Sequence, residues 1–190
     1  MRKRTTRCLA LLLAVVMVLS VMPVAMAEET TQTATLVTDA STLKVGDEIV
    51  IAAKNADYAL GTNQKANNRE AVAVTKDGEK LTLGTTVQKL TLEKGTKDNT
   101  FAFSTGSGYL YAASSNKNYL KTESTLSDNS SWSVAIADGI ATVIAQGSNT
   151  RNNMRYNPNG GTPLFACYAS GQQDIAIYKL DGAAKQQVET

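Results

Sequence analysis

Short runs of β-branched and aromatic residues recur along this 190-residue chain, and turn-forming Gly, Asn, Asp and Ser residues separate them. Successive runs lie roughly eight to twelve residues apart between residues 43 and 180, and almost no helical periodicity interrupts them. Spacing of this kind is typical of β-sandwiches and β-barrels. The sequence therefore predicts an all-β domain.

The runs also fall into three sets of four, and equivalent runs are about 40 to 50 residues apart, a spacing that indicates an internal repeat. Asp77 and Gly78 predict an extra hairpin in the first set. The runs are residues 49–51, 58–60, 71–74 and 87–92, then 101–103, 109–111, 119–121 and 132–136, then 142–144, 154–156, 164–168 and 175–180.

The closing run of each set alternates apolar residues at period two, so its apolar side chains share one face. Trp132 has the same phase as Val134 and is expected in the core. We expect the apolar pairs to occupy equivalent positions in a shared barrel: Leu90 and Leu92, Val134 and Ile136, and Ile175 and Ile177.

Three four-stranded units with this rhythm resemble the β-trefoil, in which six strands close a barrel and three hairpins cap one end. The resemblance covers residues 43–180 and implies a lectin-like fold. The ricin-type Gln-x-Trp signature is absent, and its nearest counterpart is Ser131-Trp132-Ser133-Val134. A β-sandwich of two stacked sheets is the alternative that the same spacing allows.

A second resemblance is to accessory modules of secreted hydrolases and nucleases of gut-type bacteria. It rests on KVGDEIVI at residues 44–51 and on YLYA at residues 109–112. It implies a binding module that accompanies catalytic domains, although no catalytic segment stands beside it in this chain.

Residues 1–27 have the pattern of a signal peptide. Four basic residues precede an apolar run, and Ala25-Met26-Ala27 offers a small-residue cleavage site before Glu28. We expect export and a mature chain that begins near Glu28, with retention as a single membrane anchor as the alternative. Residues 28–42 are predicted to be a flexible lead or an edge strand, and residues 181–190 a polar tail.

Removal of the four basic signal residues changes the net charge from +2 to −2. A nearly neutral domain lacks the basic surface that nucleic acids and anionic membranes require, so neither is an expected partner. Cys167 is the one cysteine left after cleavage, which excludes an internal disulfide. Its apolar surroundings predict a buried thiol, and we expect a monomer.

The chain contains no histidine, which excludes Ser-His-Asp and Cys-His nucleophiles and histidine-bearing zinc sites. Most aspartates occur in turn-forming pairs such as Asp138 and Gly139, where turn geometry explains them better than glycosidase chemistry does. We therefore expect no enzymatic activity, no cofactor and no metal.

Loops rich in Asn, Gln and Arg follow the second strand of each set, and tyrosines stand beside them. A sugar needs donors and acceptors for its hydroxyls and aromatic rings for its C–H faces, so such loops suit a glycan or cell-surface polysaccharide. Turn geometry and core packing explain the same residues equally well. The predicted ligand-binding residues are Arg151, Asn152, Asn153, Arg155 and Tyr156, with Asn67, Asn68 and Arg69 as secondary candidates.

A protein-interaction or protease-inhibitor module is the alternative function, because the loops of a trefoil can also bind proteins. Such a module needs one rigid protruding loop. Residues 75–86 form the long insertion that could protrude in this way.

Overall fold

The computed structural model describes residues 32–182, where fifteen strands join one hydrogen-bonded network. The strands are β1 (Thr33–Leu36), β2 (Glu48–Ala53), β3 (Tyr58–Gln64), β4 (Arg69–Ala73), β5 (Thr75–Asp77), β6 (Lys80–Thr82), β7 (Leu90–Lys94), β8 (Phe101–Ser104), β9 (Tyr109–Ala112), β10 (Leu120–Glu123), β11 (Ser131–Ala137), β12 (Ile140–Ala145), β13 (Asn153–Asn157), β14 (Leu164–Tyr168) and β15 (Ile175–Leu180). Three short 3₁₀ turns complete the described elements, at Ala40–Thr42, Asp128–Ser130 and Asn159–Gly161.

Six of these strands close a barrel. Each of β2, β7, β8, β11, β12 and β15 pairs antiparallel with the next, and β15 pairs back to β2. The remaining strands of the three units form the hairpins β3–β4, β9–β10 and β13–β14, and β4 also pairs with β14. The predicted three four-stranded units are therefore confirmed, and the alternative of two stacked sheets is wrong because the barrel closes on itself.

The register of the barrel pairs places inward-facing side chains in two layers. One layer contains Ile49, Leu90, Phe101, Trp132, Ala141 and Ile175. The next layer contains Ile51, Leu92, Phe103, Val134, Val143 and Ile177.

These layers correct one predicted equivalence. Trp132 and Val134, rather than Val134 and Ile136, stand at the positions of Leu90 and Leu92. The reason is that β11 continues to Ala137 and turns directly into β12 through two residues of positive φ, Asp138 and Gly139. Because β11 extends past the barrel layers to Ala137, Ile136 is not the counterpart of Leu92 and lies one inward-facing position beyond it.

Trp132 lies at the centre of the barrel with no exposed surface. Its ring stacks on Phe103 with 5.8 Å between ring centroids, and its Nε1 donates to the carbonyl oxygen of Leu110 at 3.0 Å. This indole therefore joins the barrel to the second-unit hairpin. Cys167 is also fully buried, as predicted, and burial raises the pKa of its thiol.

A second apolar layer covers one outer wall of the barrel. The strand β1 lies between β15 and β6, and the hairpin β5–β6 continues the sheet beyond it. Leu81 of this hairpin and Ala34 of β1 are fully buried against outward residues of β2 and β15 such as Val50 and Tyr178. The segment predicted as a flexible lead or an edge strand (28–42) therefore contains an interior strand, which is paired on both sides.

Asp181 fastens this outer layer to the barrel. Its carboxylate accepts from Thr33 Oγ1 at 2.6 Å and Thr35 Oγ1 at 2.5 Å, and Lys80 Nζ lies 3.0 Å away. These hydrogen bonds and the lysine charge lower the pKa of Asp181 to about 2. Asp181 thus belongs to the packed body, whereas the rest of the predicted tail (183–190), the predicted signal (1–27) and residues 28–31 lie outside the described residues.

We expect Trp132→Ala to lower the free energy of unfolding by about 3–5 kcal/mol, because it opens a cavity in the barrel and leaves the Leu110 carbonyl without its donor. Chemical denaturation measures this difference. Val45→Ala is the surface control, since Val45 is 61% exposed. A Trp132→Ala protein as stable as the control would contradict the central packing role.

The stabilising contribution of Asp181 should depend on pH. Because the folded pKa, about 2, lies below the ordinary value of 3.8, the contribution is present above about pH 4 and is lost as pH falls towards 2. We expect Asp181→Asn to lower the melting temperature at pH 7 by about 2–4 °C and to flatten the loss of stability between pH 4 and 2. Thermal melts across this range test it, with the exposed Asp98→Asn as the control.

Candidate functional site

The predicted site in the third unit divides between two surfaces. Arg151 belongs to the loop before β13 and reaches the second unit, where its Nη1 donates to Asn118 Oδ1 at 2.7 Å. Thr150 precedes it and donates from Oγ1 to the carbonyl oxygen of Ser115 at 3.1 Å. Arg151 therefore lies at the junction between two loops, away from the side chains of β13.

Asn152 closes its own loop. Its Nδ2 donates to the carbonyl oxygen of Ala145 at 3.0 Å, and the backbone amide of Ala145 donates back to the carbonyl oxygen of Asn152 at 3.0 Å. The side chain is thus used to hold β12 and β13 together. It has a structural explanation that the sequence did not predict.

Tyr156 does not offer the predicted stacking face. The residue is 2% exposed, and its ring packs between Tyr58 and Phe165 at centroid distances of 5.9 and 5.5 Å. Because side chains alternate along a strand, Tyr156 points inward and its neighbour Arg155 points outward. Arg155 and Tyr156, both predicted ligand-binding residues, therefore do not share one pocket, and the assignment of Tyr156 to the ligand site is wrong.

The outward residues of β13 come together with residues from other segments. Asn153, Arg155 and Asn157 alternate on the outer face, and Tyr168 lies directly opposite Asn153 on β14. Asp174 lies beside them and forms an ion pair with Arg155 Nη1. We call these five residues the unit-3 outer face.

Two polar atoms on this face have no hydrogen-bond partner among residues 32–182 although they are buried. They are Oδ1 of Asn153, an acceptor, and Nε of Arg155, a donor. Nearby, Nδ2 of Asn157 donates to the hydroxyl of Tyr168 at 2.9 Å. The face therefore holds one free donor and one free acceptor two residues apart on the same strand.

The charges of the face compensate each other. Arg155 is paired with Asp174, whose side chain is 41% exposed and keeps carboxylate lone pairs accessible. A face with a neutralised guanidinium and several amide and carboxylate acceptors suits hydroxyl groups better than a second charge.

No group of three or more acidic or sulfur ligands that could hold a metal occurs in the described part of the chain.

The sequence missed Asp174 because it reaches the site through tertiary pairing. Gln173 exchanges backbone hydrogen bonds with Tyr156 at 3.2 and 3.0 Å, which brings the next residue beside Arg155. The only signal was the polar segment between β14 and β15.

The secondary candidates are mostly structural. Arg69 is 3% exposed, so it cannot be the surface ligand residue that was predicted. The carbonyl oxygen of Asn67 accepts from the amide of Leu120 at 3.0 Å, and that of Asn68 accepts from the amide of Lys65 at 2.9 Å. Their loop thereby docks on the second unit.

The unit-3 outer face is not repeated around the barrel. Asn153 pairs with Ile144 of β12, and the equivalent pair in the second unit is Tyr109 with Ser104 of β8. Tyr109 therefore occupies the position of Asn153, and Tyr111 occupies that of Arg155. In the second unit Tyr109 donates to Glu93 Oε2 at 2.9 Å. The backbone is repeated but the chemistry is not, so a single site of this kind exists in residues 32–182.

Solved structures with the same architecture include lectins. BEL, whose description names a β-trefoil, superposes with a TM-score of 0.54 at 13% identity over 75% of this chain and 99% of its own. The fold is a β-trefoil. The Polyporus squamosus lectin, bound to the epitope Neu5Aca2-6Galb1-4GlcNAc, gives 0.53 at 12% identity over 73% of this chain and 50% of its own.

SeviL, bound to asialo-GM1 saccharide, superposes with a TM-score of 0.50 at 12% identity, over 73% of this chain and 99% of its own. This trefoil spans half the length of the Polyporus lectin. No protein-family model matches the sequence, and no curated protein matches it. At these identities the likeness shows the fold.

Proposed function

We propose that this β-trefoil is a non-catalytic module that recognises a neutral carbohydrate, such as a cell-surface glycan, through the unit-3 outer face. The observation that carries the proposal is the pair of buried, unpartnered atoms Asn153 Oδ1 and Arg155 Nε. A buried polar atom without a partner costs about 1–3 kcal/mol, and a ligand hydroxyl that supplies the missing hydrogen bond recovers that cost.

Sugar hydroxyls match this arrangement because each one donates and accepts. Both atoms are covered in the free protein, so binding requires the Asn153 and Arg155 side chains to turn outward. One hydroxyl then donates to Asn153 Oδ1 while its neighbour accepts from Arg155 Nε, and the accessible oxygen of Asp174 accepts from a further hydroxyl. Aromatic stacking contributes little here, since Tyr168 is 5% exposed. The lectin structures solved with saccharides support carbohydrate as the ligand class for the same fold.

Absence of catalysis is part of the proposal. Asp174 is the carboxylate on this face, and its ion pair with Arg155 favours a fixed acceptor over one member of a carboxylate pair. The sequence contains no histidine that would supply another acid or base.

The inhibitor alternative depended on residues 75–86. In the structure the hairpin β5–β6 lies against the barrel, with Leu81 fully buried and Lys76 Nζ donating to the carbonyl oxygens of Ala53 and Ala56 at 2.5 and 2.6 Å. A hairpin fixed along its length favours a structural role, and we prefer glycan recognition. A protease-inhibition panel run beside the glycan array tests the alternative.

Two neighbouring asparagines provide a matched test. We expect Asn153→Ala to reduce affinity for the best neutral oligosaccharide on a glycan array by at least about tenfold without loss of thermal stability, because it removes an unsatisfied acceptor. Asn152→Ala should lose about 1 kcal/mol of stability, since it breaks the bond to Ala145, and should keep binding. Calorimetric titration and thermal melts measure both variants.

Unchanged affinity in Asn153→Ala would exclude the unit-3 outer face. Loss of binding in Arg151→Ala, with Asn153→Ala unaffected, would instead assign recognition to the junction with Asn118. Selective binding of acidic glycans that Asn153→Ala abolishes would contradict the neutral-sugar assignment.

We also propose that the protein is exported as a monomer and acts outside the cell, as the accessory modules of secreted hydrolases do. The support is the signal pattern of residues 1–27. No helix within residues 32–182 is long and apolar enough to cross a membrane.

N-terminal sequencing of the protein recovered from the culture medium should begin at or near Glu28. Cleavage there is expected because the small-residue site ends at Ala27. Recovery of Met1 from the membrane fraction would show instead that the segment is a retained anchor.

A further inference from the structure

The first-unit hairpin buries a positive charge that the other two hairpins do not have. Arg69 is 3% exposed and forms no ion pair within residues 32–182. The pairs Ala71–Leu60, Thr122–Leu110 and Cys167–Met154 occupy equivalent positions in the three hairpins. Two residues before the first member of each pair, the first hairpin has Arg69 where the others have Leu120 and Phe165. Both of those apolar residues are fully buried.

Stability does not explain this arginine. A buried charge without a partner is costly, and well-packed apolar residues are often as stabilising or more so at such positions. Leu120 and Phe165 demonstrate that the trefoil accepts apolar side chains there. Burial also lowers the pKa of Arg69, although an arginine remains charged at neutral pH.

The hydrogen bonds of Arg69 direct its charge towards one side of the barrel. Its Nη2 donates to Gln88 Oε1 at 2.5 Å and its Nη1 to Thr122 Oγ1 at 3.3 Å, while Nε has no partner. Gln88 is 8% exposed and donates from Nε2 to the carbonyl oxygen of Lys89 at 2.7 Å. The second N–H of this amide has no acceptor among residues 32–182, and the guanidinium makes it a stronger donor.

Gln88 lines a cleft of about 360 Å³ on the outer wall of the barrel. Glu48, Thr91 and Ser104 lie side by side across β2, β7 and β8 and also line it. The volume falls within the range of small-molecule sites. Three further threonine hydroxyls line the cleft, together with one apolar residue, one lysine and one glycine: Thr62, Thr85, Thr105, Val87, Lys89 and Gly106.

We propose that this cleft binds a sugar-sized polyhydroxy acid, with its anionic group at Gln88 Nε2 and the buried charge of Arg69 behind that amide. The threonine and serine hydroxyls contact the neutral part of the ligand. The negative charge of Glu48 repels an anionic ligand, but Glu48 is solvent-exposed and the positive charge of Lys89 in the same cleft compensates for it. Arg69 is a positioning and electrostatic residue that acts through Gln88 and does not touch the ligand.

Titration with D-glucuronate and with D-glucose, followed by NMR of backbone and side-chain amides, tests the proposal. We expect glucuronate to shift the Gln88 side-chain amide and to bind at least about tenfold more tightly than glucose. Two unit charges about 10 Å apart at an effective dielectric of about 20 attract each other by slightly more than a tenfold change in affinity requires. Asn153→Ala should leave this difference unchanged, because the unit-3 outer face is a separate site.

Arg69→Met is the decisive variant, since it removes the charge while keeping side-chain length. Its thermal stability should stay close to that of the wild type, because removing the buried charge offsets the lost hydrogen bonds to Gln88 and Thr122. It should bind glucuronate no better than glucose, whereas the surface control Lys117→Met should behave like the wild type. Equal binding of the two sugars by the wild type, no response at Gln88, or wild-type affinity in Arg69→Met would each overturn the proposal. If Arg69→Met does not fold, the difference in affinity between glucuronate and glucose for the wild-type protein still tests the proposal.

Discussion

Closure of the six-stranded barrel is the constraint on which the rest of the structure depends. The last strand, β15, pairs over five positions with β2, so the barrel has no open edge between the first and third units. This pairing also fixes the two internal layers in which Trp132 stacks on Phe103. Every hairpin that carries candidate chemistry is placed by its attachment to this closed wall.

The outer layer of β1 and the hairpin β5–β6 breaks the threefold symmetry. It covers the outward side of β2 and β15 and gives these strands apolar residues on both faces, such as Ile49 and Val50, which are both fully buried. By contrast, the outer residues of β7 are polar, namely Thr91 and Glu93. The trefoil is therefore a repeated backbone with one thickened wall, and its ligand chemistry differs between units.

Two features of the surface chemistry are difficult to explain by stability. Asn153 Oδ1 and Arg155 Nε are buried and have no partner within the part of the chain that the structure describes, and Arg69 is a buried cation where the other units have apolar residues. Stable cores avoid both situations, because unpaired buried polar groups and charges oppose folding. The contrast with Trp132, whose indole satisfies its donor and fills the barrel, separates residues that stabilise the fold from those that suit a ligand.

The sequence by itself determined the strand rhythm, the three units and the burial of Trp132 and Cys167, because alternation and turn residues are local signals. It also indicated the polar character of residues 147–157. Only the tertiary structure decided which of those side chains share a surface: strand alternation turned Tyr156 inward, and Asp174 reached Arg155 through the pairing of Gln173. It also decided that Arg69 is buried and that β1 is an interior strand, since both depend on contacts between residues far apart in the chain.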